Sequence, residues 1–115
     1  MSSTFRFLQG VFPVTGQGLE KHALLDESLT YTVPEGRRAQ VLYVRGGNAS
    51  DELVVAVLVR DGVPMRWFPI GAKGDVHVPL RVVEDVEAGE VLELHVAAPA
   101  GVVGTVVVDL GLVEI

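Results

Sequence analysis

The chain has 115 residues, no cysteine, 23 valines against 2 isoleucines, and a net charge of −6 from 9 basic and 15 acidic side chains. That length predicts one domain with one hydrophobic core rather than a two-domain enzyme, and the lack of cysteine excludes a disulfide framework, a thiolate nucleophile and a cysteine metal site. The acidic balance argues against nucleic acid as a partner, and the longest apolar run, Leu53 to Val59, falls far short of the roughly 20 residues of a membrane-spanning helix.

The first dozen residues hold Phe5, Phe7 and Phe12, three of the seven aromatic side chains, so this segment is expected to bury apolar surface on the domain or on a neighbour. It lacks the basic start and apolar stretch of a secretion signal, which predicts synthesis in the cytosol. Pro13, Gly16 and Gly18 then interrupt, and Leu19 to Leu29 fits one helical turn or a strand equally well. Thr30 to Val33 reads as a short strand stopped at the Pro34-Glu35-Gly36 turn. Arg38 to Arg45 reads as a strand broken at Gly46-Gly47-Asn48-Ala49-Ser50, and Leu53 to Arg60 as the next, ended by the turn pair Asp61-Gly62. Val63 to Ile70 carries Pro64 and Pro69, which cannot donate to a ladder, and so predicts an edge strand.

The clearest alternation runs from Asp75 to Val82, with Val76, Val78, Leu80 and Val82 on one face and Asp75, His77, Pro79 and Arg81 on the other. Glu90 to Ala97 repeats it, with Leu92, Leu94 and Val96 inward and Glu93, His95 and Ala97 outward, and the two strands read as candidate partners in a sheet. Val102 to Ile115 is long and apolar, punctuated by Gly104 and Gly111. About eight strands with turns every 8–12 residues predict an all-β antiparallel sandwich or barrel.

Few constellations carry chemistry. His22, His77 and His95 show no metal-ligand spacing, although pairing of their strands would gather Asp75, His77, Glu93 and His95 on one outward face; solvent-facing polar residues are the ordinary reading of that pattern. The carboxylates cluster in turns, no nucleophile elbow is present, and Gly71-Ala72-Lys73-Gly74 is too short for a phosphate loop, so neither catalytic nor metal residues are assigned and no cofactor is expected. Trp67 and Phe68 must point to opposite faces of a strand, one into the core and the other available as an anchor for a carbohydrate or a partner. The strand Leu53 to Val59 is apolar on both faces, with Leu53, Val55, Val57 and Val59 on one and Val54, Ala56 and Leu58 on the other. A two-layer sandwich buries one face of each sheet, so the second is expected to be covered by the chain's own first 29 residues, by another subunit or by a larger surface.

The run Thr30-Tyr31-Thr32-Val33-Pro34-Glu35-Gly36-Arg37-Arg38-Ala39-Gln40-Val41, the later Asn48-Ala49-Ser50 turn, Ala88-Gly89-Glu90-Val91-Leu92-Glu93-Leu94 and the ending Val113-Glu114-Ile115 together resemble small β-sandwich virion structural proteins of tailed bacteriophages. The resemblance spans about residues 29–115 and implies a jelly-roll-like β-sandwich there; residues 1–28 lie outside it and are expected to form an extended N-terminal segment, either an arm or the first strands. It implies a non-enzymatic protein of the virion, made in the host cytoplasm. The expected role is a capsid decoration or cement protein that stabilises the head exterior, or else a tail, neck or fibre accessory protein. The implied partners are the major capsid protein or other virion proteins and further copies of the chain, a trimer being the assembly the resemblance suggests; no nucleic acid or membrane is implied. Candidate contact residues are Phe5, Phe7 and Phe12 as anchors, and Leu53, Val55, Val57 and Val59 at a subunit contact. A carbohydrate- or receptor-binding module using Trp67 is the alternative.

Overall fold

The computed structural model describes residues 2–115. Ten strand segments follow the alternating apolar positions: β1 (Thr4–Thr15), β2 (Ala23–Leu24), β3 (Thr30–Thr32), β4 (Arg38–Asn48), β5 (Val54–Arg60), β6 (Val63–Ile70), β7 (Asp75–Pro79), β8 (Asp85–Glu87), β9 (Val91–Ala97) and β10 (Val103–Glu114), with a 3₁₀ turn at Glu27–Leu29. Sheet A has the order β1-β10-β4-β7 and sheet B the order β2-β9-β5-β6, every pairing antiparallel. β3 extends the line of β2 along β9, and β8 extends the line of β7 along β4, so the ten segments fill eight positions. The pairs β1–β10, β2/β3–β9, β4–β7/β8 and β5–β6 are nested one inside another, which is jelly-roll wrapping of an antiparallel β-sandwich.

The inward rows close the core. Val106, Val108, Leu110 and Leu112 of β10 and Val44 of β4 meet Val54, Ala56 and Leu58 of β5, Leu92 and Leu94 of β9, and Phe68 and Ile70 of β6. Leu42 has no partner in the β4–β10 register, which steps from Tyr43↔Gly111 to Val41↔Leu112; this bulge turns both Val41 and Val44 inward. Asp61 and Gly62 both have positive φ, as a two-residue primed turn requires, and β6 is the edge of sheet B as its prolines predict.

Three local expectations are corrected. β4 does not break at Gly46-Gly47 but runs through to Asn48, because the Ile70 side chain packs over Gly46, where a Cβ would stand 2.7 Å from Ile70 Cδ1. The Asp75 strand ends at Pro79, and Val82 is exposed beyond it. Nor do the Asp75 and Glu90 strands pair. β7 lies in sheet A beside β4 and β9 lies in sheet B beside β5, so Asp75 and His77 sit on the opposite side of the molecule from Glu93 and His95.

β1 is a full-length partner of β10 rather than a free arm, and the following Gly16–His22 segment crosses the turn between β9 and β10. Gly16 N–H donates to Val102 O at 2.7 Å and Gly18 N–H to Ala98 O at 2.8 Å. A Cβ on Gly16 would collide with the Pro99 and Ala98 backbone, so only glycine permits this crossing.

Candidate functional site

The outer face of sheet B is where the two-faced strand β5 leaves apolar side chains. Register sets Leu24, His95, Val57 and Trp67 in one row across four strands, with Glu93 and Val59 in the next and Ala97, Val55 and Pro69 in the one beyond. His22 completes a lid over this surface. Its Nδ1 lies 2.9 Å from His95 Nδ1, its ring stands edge-on to Trp67 at 5.8 Å, and His95 Nε2 lies 3.0 Å from Glu93 Oε1. One imidazole donates to the other, so at least one ring must be neutral for the bond to form. Beneath the lid Val57 is fully buried, and a residue of the N-terminal segment takes part in that cover; Val59, in the next row, is buried as well. Replacing His22 with Ala removes one hydrogen bond and uncovers Val57. A loss of about 1 kcal/mol in chemical denaturation is expected, together with a changed emission from Trp67, the sole tryptophan.

The outer face of sheet A has no such cover. Its rows read Val11–Val107–Gly47–Asp75 and Gln9–Asp109–Arg45–His77, then Phe7–Gly111–Tyr43–Pro79. A trough of about 430 Å³ opens where Gly47 supplies no side chain, lined by Arg45, Asp75, His77, Val107 and Asp109. Arg45 and Asp109 pair at 3.7 Å, and the Tyr43 hydroxyl donates to Asp109 Oδ1 at 3.1 Å. Burial, then the bond to Asp109, raises the Tyr43 hydroxyl above its ordinary pKa, keeping it a donor. Tyr43 also stands edge-on to His77, at 6.1 Å, and its ring lies across Gly111. The trough therefore offers guanidinium donors, carboxylate acceptors and an imidazole around an apolar floor.

Packing does not explain Gly47. Gly46 is bare because Ile70 fills its place, and Gly111 because Tyr43 does, whereas a Cβ on Gly47 would meet nothing closer than Val107 Cβ at 3.8 Å, an ordinary contact. A glycine inside a central strand costs about 0.5–1 kcal/mol against a residue with a side chain, and it marks places where something else approaches the backbone closely.

The residues singled out in the sequence separate into three groups. Phe5 and Phe7 stand on the outer face of sheet A, 61% and 54% exposed, and Trp67 on that of sheet B, 54% exposed, while Phe68 is core as opposite faces require. Phe12 points the other way and packs against the core, which corrects its reading as an anchor. Val57 is sealed beneath the His22–His95–Trp67 lid and Val59 is buried in the next row, so neither offers surface to a second subunit; Val55 is half-buried beside them, and Leu53 is exposed in the loop before β5. Asp75, His77, Glu93 and His95, which pairing of their strands would have gathered, are split between the two outer faces, and among the described residues no three His, Asp or Glu side chains converge as a metal site would need. Gly47, Arg45 and Asp109 were not singled out. The signal available for them was the glycine pair inside a β-branched run, which reads as a turn until the partner strands are known.

No family model and no curated protein matches the chain. Solved structures do match. Among them is the CBM36-1 domain of a multidomain xylanase from the hindgut metagenome of Trinervitermes trinervoides, similar at 15% identity with a TM-score of 0.54 over 96% of each chain. Sharing of the fold is what this likeness shows.

Proposed function

We propose that this chain is a non-catalytic binding module that holds a glycan in the trough over Gly47. The carrying observation is the bare Gly47 itself: it floors a groove ringed by Arg45, Asp75, His77 and Asp109, and no neighbour needs its space. Sugar hydroxyls both donate and accept, so they suit a site that mixes guanidinium and carboxylate groups, and Val107 offers an apolar patch to the C–H face of a ring. The shared fold with the carbohydrate-binding domain of a xylanase supports the same reading. Gly47→Val tests it. The variant fills the trough with a good strand former, so its thermal midpoint should match or exceed that of the parent, while binding to array-selected glycans, xylo-oligosaccharides included, falls by at least about tenfold. An array without a single hit for the parent chain, or a Gly47→Val chain that binds as well as the parent, would falsify the assignment.

A second reading, attachment to the outside of a tailed-phage virion, is favoured by the exposed Phe5 and Phe7 on β1. It calls for Phe5→Ser/Phe7→Ser to lose attachment to particles without losing the fold. Retained attachment sinks it.

A further inference from the structure

The sheet edges differ in how they are closed. Sheet A ends at one side on β7 and β8, five and three residues long, and sheet B on β2 and β3, two and three residues long. The other edge of sheet B is β6, which carries Pro64, Pro69 and Arg66 and a register shift opposite Leu58/Val59. Short strands, prolines, charges and bulges are the devices that keep an edge from pairing with another chain. β1 is the exception. It is twelve residues long and carries one charge, Arg6, whose guanidinium lies 3.1 Å from the buried Glu114; only Pro13, near its end, interrupts the edge. One backbone edge of β1 is taken by β10, and among the described residues no strand lies on the other. On the outer face of the same strand Phe5, Phe7 and Val11 are more than half exposed.

We propose that β1 pairs antiparallel with β1 of a second copy, about a twofold axis that passes between the two strands beside Gln9 and stands normal to sheet A. The strand is complementary to itself in this arrangement. Gln9 meets its own copy, Phe7 meets Val11, Phe5 meets Pro13, and the two Arg6 side chains lie about 20 Å apart along the strands, so no like charges face each other. The pairing consumes both free β1 edges, so the assembly closes at two copies instead of growing into a fibre. A normal twofold also keeps the two outer faces of sheet A on the same side. If the trough binds a glycan as proposed above, both troughs then face one surface, and a repeating ligand is held at two points.

Sedimentation velocity on the full chain over a concentration series tests the pairing without any ligand, so its outcome is independent of the glycan assignment. A reversible two-chain mass is expected, with a dissociation constant in the range of about 1–100 µM for so small an interface. Gln9→Lys sets two lysines against each other on the axis and should weaken the dimer roughly tenfold, whereas Val63→Lys on β6 leaves it unchanged. Thermal midpoints equal to the parent's show that both variants fold. The chain has no cysteine, so Gln9→Cys supplies a single thiol that a short thiol cross-linker should capture as a dimer. A one-chain mass up to about 500 µM, a three-chain mass, or equal weakening by Gln9→Lys and Val63→Lys overturns the proposal.

Discussion

Replacing Asn48 with Ala should lower stability by about 3 kcal/mol, read as a fall of about 12 °C in thermal midpoint for a domain of this size. The side chain is buried at the end of β4 and ties the following loop together. Its amide nitrogen donates to Glu52 O at 2.8 Å, Ile70 O at 3.1 Å and Gly71 O at 3.2 Å, and its oxygen accepts from Ser50 N at 2.9 Å and Ser50 Oγ at 2.7 Å. Three carbonyl acceptors around one end fix which end of the amide is nitrogen. Alanine leaves those groups facing a void, and an unpartnered buried polar group costs about 1–3 kcal/mol. Asn48→Asp should do at least as much harm, since it turns a second oxygen toward the same carbonyls. Ser50→Ala, which leaves the three amide–carbonyl bonds intact, should cost about 1 kcal/mol. Because Asn48 follows Gly47 and its N–H donates to Gly74 O at 2.9 Å, the Ala variant should also loosen the β4–β7 end of the trough, seen as accelerated amide exchange there.

Asn48 shows which kind of information a linear pattern carries. Asn48-Ala49-Ser50 spells a glycosylation acceptor and a turn, and neither reading discloses that the amide gathers carbonyls from the β4–β5 loop and the end of β6. Periodicity reports burial on one side of one strand. It therefore located β5, β6 and β9, the edge position of β6 and the turn at Asp61-Gly62, where cause and effect lie within a few residues. Partner choice lies outside its reach. In nested wrapping, strands adjacent in sequence are often sent to opposite sheets, so β7 and β9 part company although both alternate well. Glycine is depleted in strands, so Gly46-Gly47 reads as a break; Gly46 answers to Ile70, 24 positions away, and Gly47 lines the trough. The excess of valine on both faces of β5 was legible as a demand for cover. That His22 would help supply it was not, because nothing local links His22 to Val57.

Glu114→Ala is expected to cost about 3 kcal/mol, because it removes a buried carboxylate whose contacts join the first, third and last strands. Glu114 Oε2 accepts from the Tyr31 hydroxyl at 2.6 Å and from Arg6 Nε at 3.1 Å, and Arg37 Nη2 lies 3.9 Å from Oε1. Without the carboxylate, the Tyr31 hydroxyl has no acceptor, and Arg37, whose buried Nε already lacks one, keeps only contacts of 3.3 Å to Ser2 O, Thr4 Oγ1 and the Glu114 carbonyl. Arg6 is half exposed and regains water, so most of the loss comes from Tyr31 and Arg37. The same cluster sets a pH window. The Tyr31 bond first, then Arg6 and Arg37, hold the Glu114 carboxyl below its ordinary value of 4.5 against the opposing effect of burial. A carboxyl whose folded pKa is depressed contributes fully above the unfolded value and loses that contribution as pH falls through the folded one. Burial first, then Glu114, push the Tyr31 hydroxyl above its ordinary 10.0, so its contribution is full below that value and fades as pH rises toward the folded pKa. The difference in unfolding free energy between the parent chain and Tyr31→Phe should therefore be flat between about pH 5 and pH 9 and shrink at both ends. A difference that holds constant into acid and alkali would instead make the Tyr31–Glu114 contact a matter of shape, with no charge in it.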